Sequence, residues 1–291
     1  METHTKAFVW LDGRVQAAAQ ARISPADRGF TLGDGLFETI RIRAGHPAHL
    51  GRHLLRLRAA AARLGIPVPA ADDALADALA ATCAANGVAE GSARLTLTRG
   101  PAPRGLALPE HPAPTLLVSA SPGAAPGHAL HAVVARGTRR NEFSPLSAVK
   151  SLNYGDSLLA RQEAVARGAD EAVLLNTAGH MAECAVANLV ALRGGRLVTP
   201  PVSDGALPGI MRALLVERCG VAEAPLAPGE PLDALFATSS LGVRAVATLD
   251  GVALPVRDDL LAVLRAAGLR DDGRDQTARA AEGGAGARDA P

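Results

Sequence analysis

A segment rich in proline, glycine and alanine, ASPGAAPGH at residues 120–128, divides the chain into two parts. Both parts carry strand patterns and helix patterns, which indicates α+β domains. Proline and glycine interrupt regular structure, and this composition is typical of an interdomain linker. The sequence predicts a mixed α+β fold, with a smaller domain over 1–119, the linker over 120–128 and a larger domain over 129–269. A cleft between two domains is a usual place for a ligand.

Turn and capping signals locate several elements. Asp12-Gly13 predicts a hairpin turn between two short strands, and leucines at helical spacing predict a helix that ends at Gly65. Further helices are expected over 155–167 and after Leu207-Pro208-Gly209. Residues 270–291 consist mainly of Asp, Gly, Arg and Ala without periodicity, which predicts a disordered tail.

Composition argues against several classes of function. The 30 basic and 29 acidic residues give a net charge of +1, so no overall field attracts nucleic acid or an anionic membrane. No apolar run reaches the roughly 18 to 20 residues of a membrane helix, and we expect a soluble, cytoplasmic protein. The cysteines, the histidines at 46, 49 and 53, and Gly33-Asp34-Gly35 lack the patterns of zinc, H-E-x-x-H and dinucleotide sites. We therefore expect a protein that acts on a small molecule without a metal.

Lysine is almost absent from this chain. Lys6 and Lys150 are the two exceptions in a set of cations that is otherwise arginine. A guanidinium stays protonated, whereas a buried ammonium group can lose its proton and act as a nucleophile. Chance survival of one lysine explains the composition equally well, so the neighbours of Lys150 decide its meaning.

Two polar residues give Lys150 a chemical context. Tyr154, the only tyrosine, lies four residues after Lys150, a spacing that in a helix puts the phenol beside the amine. Glu183 lies in the apolar run MAECAVANLV, where an unpaired carboxylate is costly and a cationic partner is implied. Pyridoxal phosphate needs a lysine for its Schiff base, a hydroxyl donor and an anion near its ring nitrogen. The alternative for Glu183 is a plain salt bridge to an arginine.

The phosphate of such a cofactor also needs donors. Leu207-Pro208-Gly209 precedes an expected helix, and the first N–H groups of a helix suit an anion. Ser239 and Ser240, at the end of an expected strand, offer hydroxyls, and Arg56 offers a guanidinium. Each of these features also has an ordinary explanation, as a turn, a loop or a solvated helix residue. The prediction therefore depends on their combination.

Five strings follow one another along the chain. They are DRGFTLGDGLFETIR (27–41), HLLRL (53–57), KSLNYGDSLLARQEA (150–164), EAVLLNTAGHMAECAVANLV (171–190) and LPGIMR (207–212). In this order they resemble the class IV aminotransferase family, the fold type IV pyridoxal-phosphate enzymes. The resemblance implies two domains with the cofactor, pyridoxal 5′-phosphate, in the cleft between them. The family is commonly dimeric, which implies a homodimer whose partner subunit completes the substrate pocket.

The resemblance also implies a role for each matching residue. Lys150 would bind the cofactor covalently and move the proton. Tyr154 would support the cofactor O3′, and Glu183 would pair with its pyridine nitrogen. The residues that would hold the phosphate are Arg56, Gly209, Ile210, Met211 and Ser239.

Three details favour one reaction of the family, that of 4-amino-4-deoxychorismate lyase, which releases 4-aminobenzoate and pyruvate on the route to folate. Thr39 in F-E-T stands where the lyases place a threonine near the reacting substrate, which implies a catalytic role. Arg104 stands where a carboxylate-binding arginine is found, but Leu106 replaces the histidine of the D-amino-acid enzymes. TSSLGVRAV (238–246) is closer to the lyase pattern than to the branched-chain pattern. The residues implied at the substrate are Arg104, Ser240 and Arg41.

Other functions stay open. Transaminases also carry F-E-T, so a D-amino-acid or branched-chain transaminase that uses 2-oxoglutarate or pyruvate is the second expectation. Thr39 also simply suits a strand. A non-enzymatic scaffold is disfavoured because Lys150, Tyr154 and Glu183 are retained together, and no G-x-S-x-G string supports a hydrolase.

Overall fold

The structure is a computed structural model that describes residues 7–123 and 127–269. The predicted tail over 270–291 and the middle of the predicted linker lie outside the described residues. The helices are α1 (Arg28–Leu32), α2 (Leu50–Leu64), α3 (Asp72–Ala85), α4 (Gly155–Ala166), α5 (Ile210–Cys219) and α6 (Asp258–Leu269). The strands are β1 (Phe8–Leu11), β2 (Arg14–Ala17), β3 (Gly35–Arg43), β4 (His46–Pro47), β5 (Gly91–Thr98), β6 (Leu116–Pro122), β7 (Leu130–Val134), β8 (Glu171–Leu175), β9 (Met181–Cys184), β10 (Asn188–Arg193), β11 (Arg196–Thr199), β12 (Ala222–Glu223), β13 (Ala234–Ser239), β14 (Gly242–Leu249) and β15 (Val252–Ala253).

The strands of the first part form one antiparallel sheet of six, in the order β2-β1-β6-β5-β3-β4. Alternation explains its core: in β5, Leu95 and Leu97 are buried whereas Arg94 is exposed. Helices α2 and α3 cover the buried face with apolar residues at helical spacing, among them Leu57 and Leu79. We call this sheet, together with α1, α2 and α3, the first lobe.

The second sheet has nine strands, in the order β12-β11-β10-β13-β14-β7-β8-β9, with β15 paired to β14. Its pairings are mixed: β11 with β12, β14 with β7 and β7 with β8 are parallel, and the others are antiparallel. The sheet curls, so that β9 approaches β10. One cluster of buried apolar side chains joins strands β7 to β14, and another lies under α5 and α6. We call this sheet, together with α4, α5 and α6, the second lobe.

Backbone pairing joins the two lobes beside Lys150. The N–H of Phe37 in β3 donates to the Lys150 carbonyl over 2.9 Å. The N–H of Leu152 donates to the Gly35 carbonyl, also over 2.9 Å. Because the segment that carries Lys150 is paired with β3, side chains of the first lobe lie next to this lysine.

The expected mixture of helices and strands is confirmed. The hairpin at Asp12-Gly13 lies between β1 and β2, and α2 ends at Gly65 in the left-handed conformation. The sequence patterns missed α1, a five-residue helix capped by Asp27, whose carboxylate accepts from an N–H over 2.7 Å. They also missed β9, because all four of its residues are buried and the strand has no alternation to detect.

Two expectations concern the chain as a whole. Strand β6 runs to Pro122 and so takes in the first residues of the predicted linker, and the division into domains at 119 and 129 stays a prediction. Within residues 7–123 and 127–269, no helix is long and apolar enough to cross a membrane.

Candidate active site

A cavity of about 540 Å³ opens where the two lobes meet. The first lobe lines it with β3, β5 and α2. The second lobe lines it with the segment around Lys150, with β9, with the start of α5 and with the turn between β13 and β14. A cavity of this size suits a small molecule that is fixed by a few polar groups.

Lys150 lines this cavity, and its Nζ donates a hydrogen bond to Tyr154 Oη over 3.0 Å. The same Nζ lies 4.4 Å from the centre of the Phe37 ring. Burial of the ammonium group, and after it the positive charge of Arg56, lower the pKa of Lys150 to about 8. A lysine with this pKa loses its proton far more readily than a solvated lysine, so it is suited to nucleophilic and proton-transfer chemistry.

Tyr154 reaches Lys150 by a different route from the one predicted. Residues 150–154 are not helical, and Tyr154 is the N-cap of α4. The argument from helical spacing is therefore wrong; the contact comes from a bend that follows the pairing of Ser151 with β3. Burial, and after it the negative charge of Glu183, raise the pKa of Tyr154 to about 12. Its hydroxyl consequently keeps its proton.

Glu183, on β9, is buried and lines the same cavity. One carboxylate oxygen lies 3.0 Å from Arg140 Nε, which supplies the cationic partner expected from the sequence. The other oxygen accepts from the N–H of Leu207 over 2.9 Å and from Asn188 Nδ2 over 3.2 Å. Burial raises the pKa of Glu183, and the charge of Arg140 opposes this shift.

The start of α5 is built so that its first N–H groups are not used by a side chain. Gly209 is the N-cap, and no side chain caps the helix. A Cβ at position 209 would lie 1.9 Å from Asn188 Oδ1, so only glycine allows this approach. Asn188 also holds the loop before the helix, because its Nδ2 donates to the Leu207 carbonyl over 2.9 Å. Ile210 and Met211, for which the family resemblance implies a place at the phosphate, line the cavity at this point.

Hydroxyl groups border the cavity at the end of β13. Thr238, Ser239 and Ser240 all line it. Thr238 Oγ1 is buried and has no hydrogen-bond partner within the described part of the chain. A buried hydroxyl without a partner is costly, which indicates that a ligand acceptor belongs beside it. With the open N–H groups of α5, this end of the cavity fits an anionic group.

Arg56 borders the same end, and its partners were missed by the sequence analysis. Its Nε and Nη2 donate to Glu38 Oε1 and Oε2 over 2.8 and 2.6 Å, and its Nη1 donates to the Pro208 carbonyl over 3.0 Å. His53 Nδ1 lies 2.7 Å from Glu38 Oε2. Burial alone would raise the pKa of Glu38, but the hydrogen bonds from His53 and Arg56 outweigh it and the pKa lies below its usual range.

The state of His53 follows from its burial, which lowers its pKa despite the adjacent carboxylate. A neutral imidazole with its proton on Nδ1 donates to Glu38 and leaves one net negative charge beside Arg56. The alternation of β3 was one sequence signal for the buried position of Glu38. Glu38 lies between Phe37 and Thr39, so it points away from the cavity that these two residues line.

Arg94 is a second cavity residue that the sequence analysis missed. It pairs directly with Thr39 across β3 and β5, and its guanidinium carbon lies 3.7 Å from the centre of the Phe37 ring. Its Nε donates to Thr96 Oγ1 over 3.3 Å, and no carboxylate of the described residues forms a salt bridge with it. Thr39 and Arg94 therefore present a hydroxyl and an uncompensated positive charge side by side.

The remaining predicted residues lie elsewhere. Arg104 lies on an exposed loop and is not among the residues that line the cavity of this chain. That loop is held by Arg28, whose Nη1 donates to the carbonyls of Gly105 and Ala107 over 3.1 and 3.2 Å. Arg41 does not line the cavity either; its Nη1 donates to the Leu241 carbonyl over 2.7 Å.

Comparison with known proteins agrees with this geometry. The family described as "Amino-transferase class IV" matches residues 35–249. A "Putative branched-chain-amino-acid aminotransferase" of Methanocaldococcus jannaschii is 32% identical over 253 residues, which are 84% of this chain and 88% of that protein.

Two solved structures share this fold and are more than 25% identical to this chain in sequence. The 4-amino-4-deoxychorismate lyase from Pseudomonas aeruginosa is 35% identical with a TM-score of 0.75, and the match covers 92% of this chain and 98% of that one. The branched-chain aminotransferase from Thermoproteus uzoniensis, solved with norvaline, is 26% identical with a TM-score of 0.82, and covers 90% and 95%. The chain is thus similar to proteins with two different reactions.

Proposed function

This chain belongs to the amino-transferase class IV family, and from that premise we propose that it is a 4-amino-4-deoxychorismate lyase. Members of the family are enzymes that use pyridoxal 5′-phosphate. The proposed reaction removes the enolpyruvyl group of the substrate and releases 4-aminobenzoate and pyruvate. The main support for the lyase is the pair of Thr39 and Arg94, a small hydroxyl beside a positive charge with no acidic partner.

The residues of the cavity fit pyridoxal phosphate. Lys150 offers an amine of lowered pKa for covalent attachment, and Tyr154 offers a protonated hydroxyl to the cofactor O3′. Glu183 offers a buried carboxylate to the ring nitrogen. The unpartnered hydroxyl of Thr238 supports a phosphate at its end of the cavity. The residues that we propose at this phosphate are Arg56, Gly209, Ile210, Met211 and Ser239.

When bound, pyridoxal phosphate supplies a carbon that takes up the substrate amine and a ring that accepts electrons. Glu183 holds a proton at the ring nitrogen because its carboxylate is fixed by Arg140 and by two neutral donors. Lys150 takes the proton from the substrate carbon that bears the amine, as a general base. Tyr154 keeps its own proton and fixes the Lys150 amine over 3.0 Å before the substrate arrives.

The lyase step needs no second substrate. Lys150 takes the proton from C4 of the substrate ring, the carbon that bears the amine. The substrate's C3–O bond to the enolpyruvyl group breaks, and the substrate ring becomes aromatic. The released enolpyruvate gains a proton on its methylene carbon and becomes pyruvate. We place the Thr39 hydroxyl at the departing oxygen and the Arg94 guanidinium at a substrate carboxylate, because an arginine without an acidic partner is suited to bidentate carboxylate binding.

A transaminase is the second candidate. Its specific support is the apolar part of the cavity lining, where Leu146, Val186 and Leu241 are suited to an aliphatic side chain. The 32% identical relative is also named as an aminotransferase. In that reaction a 2-oxo acid must regenerate the enzyme, whereas the lyase needs none.

We also propose a homodimer. Phe30, Leu106 and Leu108 are 80%, 81% and 64% exposed, an unusual exposure for large apolar side chains near one another in a chain of this size. Leu106 and Leu108 follow Arg104 on the same loop. A second copy of the chain that covers these two leucines would therefore also lie beside Arg104. Light scattering of the purified protein is expected to give the mass of two chains; a mass of one chain would contradict the proposal.

One set of assays separates the two reactions. Purified protein is supplied with aminodeoxychorismate alone, and separately with D-alanine or L-leucine together with 2-oxoglutarate. The lyase is expected to release 4-aminobenzoate and pyruvate in equal amounts without an oxo acid. Turnover that requires an oxo acid, with no 4-aminobenzoate, would contradict the lyase and support the transaminase.

Two variants serve as controls for the assignment. Lys150→Ala is expected to abolish both reactions, because no other side chain of the described cavity is an amine. Thr39→Val keeps the shape of the side chain and removes its hydroxyl, and we expect the lyase rate to fall about 10²-fold while cofactor binding is retained. An unchanged lyase rate in Thr39→Val would remove Thr39 from the reaction.

A further inference from the structure

Two-residue hairpin turns occur five times among the described residues, and four of them share one backbone form. In these four, both central residues have a positive φ, which matches the right-handed twist of the flanking strands. None of these central residues lines the cavity. The four central pairs are Asp12-Gly13, Ala44-Gly45, Gly194-Gly195 and Asp250-Gly251.

The fifth turn, Ser240-Leu241 between β13 and β14, has a different form. Neither central residue has a positive φ, although Ser239 and Gly242 pair in register on either side of the turn. Gly242 then adopts a φ of +134°, which glycine alone tolerates readily. The Ser240-Leu241 turn therefore differs in backbone form from the other four, and it is the one of the five that lines the cavity.

Arg41, on β3 of the first lobe, holds this turn from outside the hairpin. Its Nη1 donates to the Leu241 carbonyl over 2.7 Å. The N–H of Leu241 donates to Ser239 Oγ over 3.3 Å, so the turn is held at two successive peptide groups. Because the Ser239 oxygen accepts this bond, its own proton is left to donate to a ligand.

Arg43, two residues further along β3, makes a similar bond elsewhere. Its Nη1 donates to the Leu269 carbonyl at the end of α6 over 3.3 Å. The two arginines share a strand, a side of that strand and a type of acceptor, but Leu269 does not line the cavity. Loss of Arg43 therefore removes a bond between the lobes without touching the turn.

We propose that Arg41 is a positioning residue that keeps the Ser240-Leu241 turn in the form that presents Ser239 and Ser240 to the anionic groups of the bound molecules. A turn with two left-handed central residues has a different backbone path and would direct its peptide groups differently. This inference rests on the proposed function, which puts anionic groups at the turn. It gives Arg41 a role different from the substrate contact expected from the sequence.

The test compares Arg41→Gln, Arg41→Lys and Arg43→Gln with the wild type, by titration of the apoprotein with pyridoxal phosphate and with pyridoxal. Arg41→Gln is expected to raise the Kd of pyridoxal phosphate about tenfold, because a hydrogen bond from a charged donor is lost. The Kd of pyridoxal, which lacks the phosphate, is expected to stay within about twofold. Arg41→Lys keeps a charged donor and is expected to recover part of the loss.

A turn exchange tests the conformation itself. Ser240→Asn combined with Leu241→Gly gives the residue pair favoured in left-handed turns. Ser240→Ala is its matched control, since it removes the same hydroxyl without changing the turn. The exchange is expected to keep or raise the melting temperature and yet to weaken pyridoxal phosphate binding more than Ser240→Ala does.

The outcomes are distinguishable. Equal losses in Arg41→Gln and Arg43→Gln would mean that lobe docking alone matters and would overturn the inference. A turn exchange that binds pyridoxal phosphate no worse than Ser240→Ala would also overturn it. A wild-type apoprotein that does not bind pyridoxal phosphate contradicts the proposed function instead, whereas wild-type binding that Arg41→Gln leaves unchanged contradicts only the role of Arg41.

Discussion

Two buried glutamates, one from each lobe, have different surroundings near the cavity. Glu38, in the first lobe, lies behind Arg56, and its two oxygens accept from the guanidinium and from His53. Glu183, in the second lobe, lines the cavity and has Arg140 on one oxygen and neutral donors on the other. The pKa of Glu38 lies below its ordinary value, and that of Glu183 lies above it.

These surroundings indicate a different role for each carboxylate. Glu38 is saturated by strong donors and faces no ligand, so its charge serves to fix Arg56 in place before an anion arrives. The carboxylate of Glu183 meets the cavity directly and is held by weaker neutral donors on one side. The negative charge of such a carboxylate is stabilised most when a protonated ring nitrogen lies beside it, and the proposed cofactor provides one.

Replacement of Glu38 is expected to affect stability strongly. Glu38→Gln leaves the Arg56 guanidinium buried without its anionic partner, and we expect a loss of about 3 to 5 kcal/mol in the free energy of unfolding. Denaturant unfolding of the apoprotein measures it. Glu217→Gln is the control, because Glu217 pairs with Arg52, which lies on the same helix as Arg56. This pair is at the surface, so we expect a loss of about 1 kcal/mol or less in the free energy of unfolding. Similar losses in both variants would show that the buried Glu38–Arg56 pair contributes no more to stability than an ion pair at the surface.

The next largest effect is on turnover. Glu183→Gln removes the negative charge that we propose beside the ring nitrogen, and we expect kcat to fall about 10²- to 10³-fold. The free energy of unfolding is expected to fall by only about 1 to 2 kcal/mol, because the amide keeps polar partners and Arg140 keeps the carbonyls of Gly205 and Ser147 as acceptors. Steady-state kinetics and unfolding of the same preparation test both parts. A variant with full activity would exclude Glu183 from the chemistry.

A smaller effect is expected at Asn188, which joins Glu183 to the loop before α5. Asn188→Ala removes hydrogen bonds to Glu183 and to the Leu207 carbonyl, and we expect the Kd of pyridoxal phosphate to rise about tenfold. Asn86→Ala is the matched control, since Asn86 Nδ2 likewise donates two hydrogen bonds, to the carbonyls of Phe8 and Thr82, within the first lobe. If both variants bind the cofactor like the wild type, Asn188 does not couple the two sites.

The smallest effect is a shift in the titration of Lys150. The neutral amine is the reactive form, so covalent reaction of the apoprotein with pyridoxal is expected to rise with pH through a midpoint near 8. Both glutamates hold the pKa of Lys150 up, Glu38 more than Glu183. Glu38→Gln is therefore expected to lower the midpoint more than Glu183→Gln does. A midpoint near 10.5, the ordinary value for lysine, would contradict the burial of this amine.

The same pKa has a consequence for stability. The folded apoprotein releases the Lys150 proton at about pH 8, whereas the unfolded chain keeps it to about 10.5. Between these values the unfolded state binds more protons, so the free energy of unfolding is expected to rise with pH in this window. Lys150→Met, which cannot titrate, is expected to lose this rise. Unfolding curves at pH 8 and pH 10 measure the difference.

The site was predicted in part from residue types that are rare or out of place. Lys150 and Tyr154 were identified because the chain has so few residues of either type, and Glu183 because a carboxylate stood in an apolar run. Arg94 could not be identified in this way, because it is one of many arginines and its lack of an acidic partner is a property of the folded chain. Arg41 was expected at the substrate, and the structure instead bonds it to the Leu241 carbonyl in the other lobe.

Local chemistry was thus determined by the sequence alone: which residues can form strands, helices and left-handed turns, and which side chains carry unusual groups. The tertiary structure decided which groups meet, because the pairing of β3 with the segment at Ser151 brings together side chains from two sheets. It also decided the charge states. Burial and neighbouring charges, rather than residue type, separate the two glutamates and make the amine of Lys150 easier to deprotonate than the ordinary lysine amine.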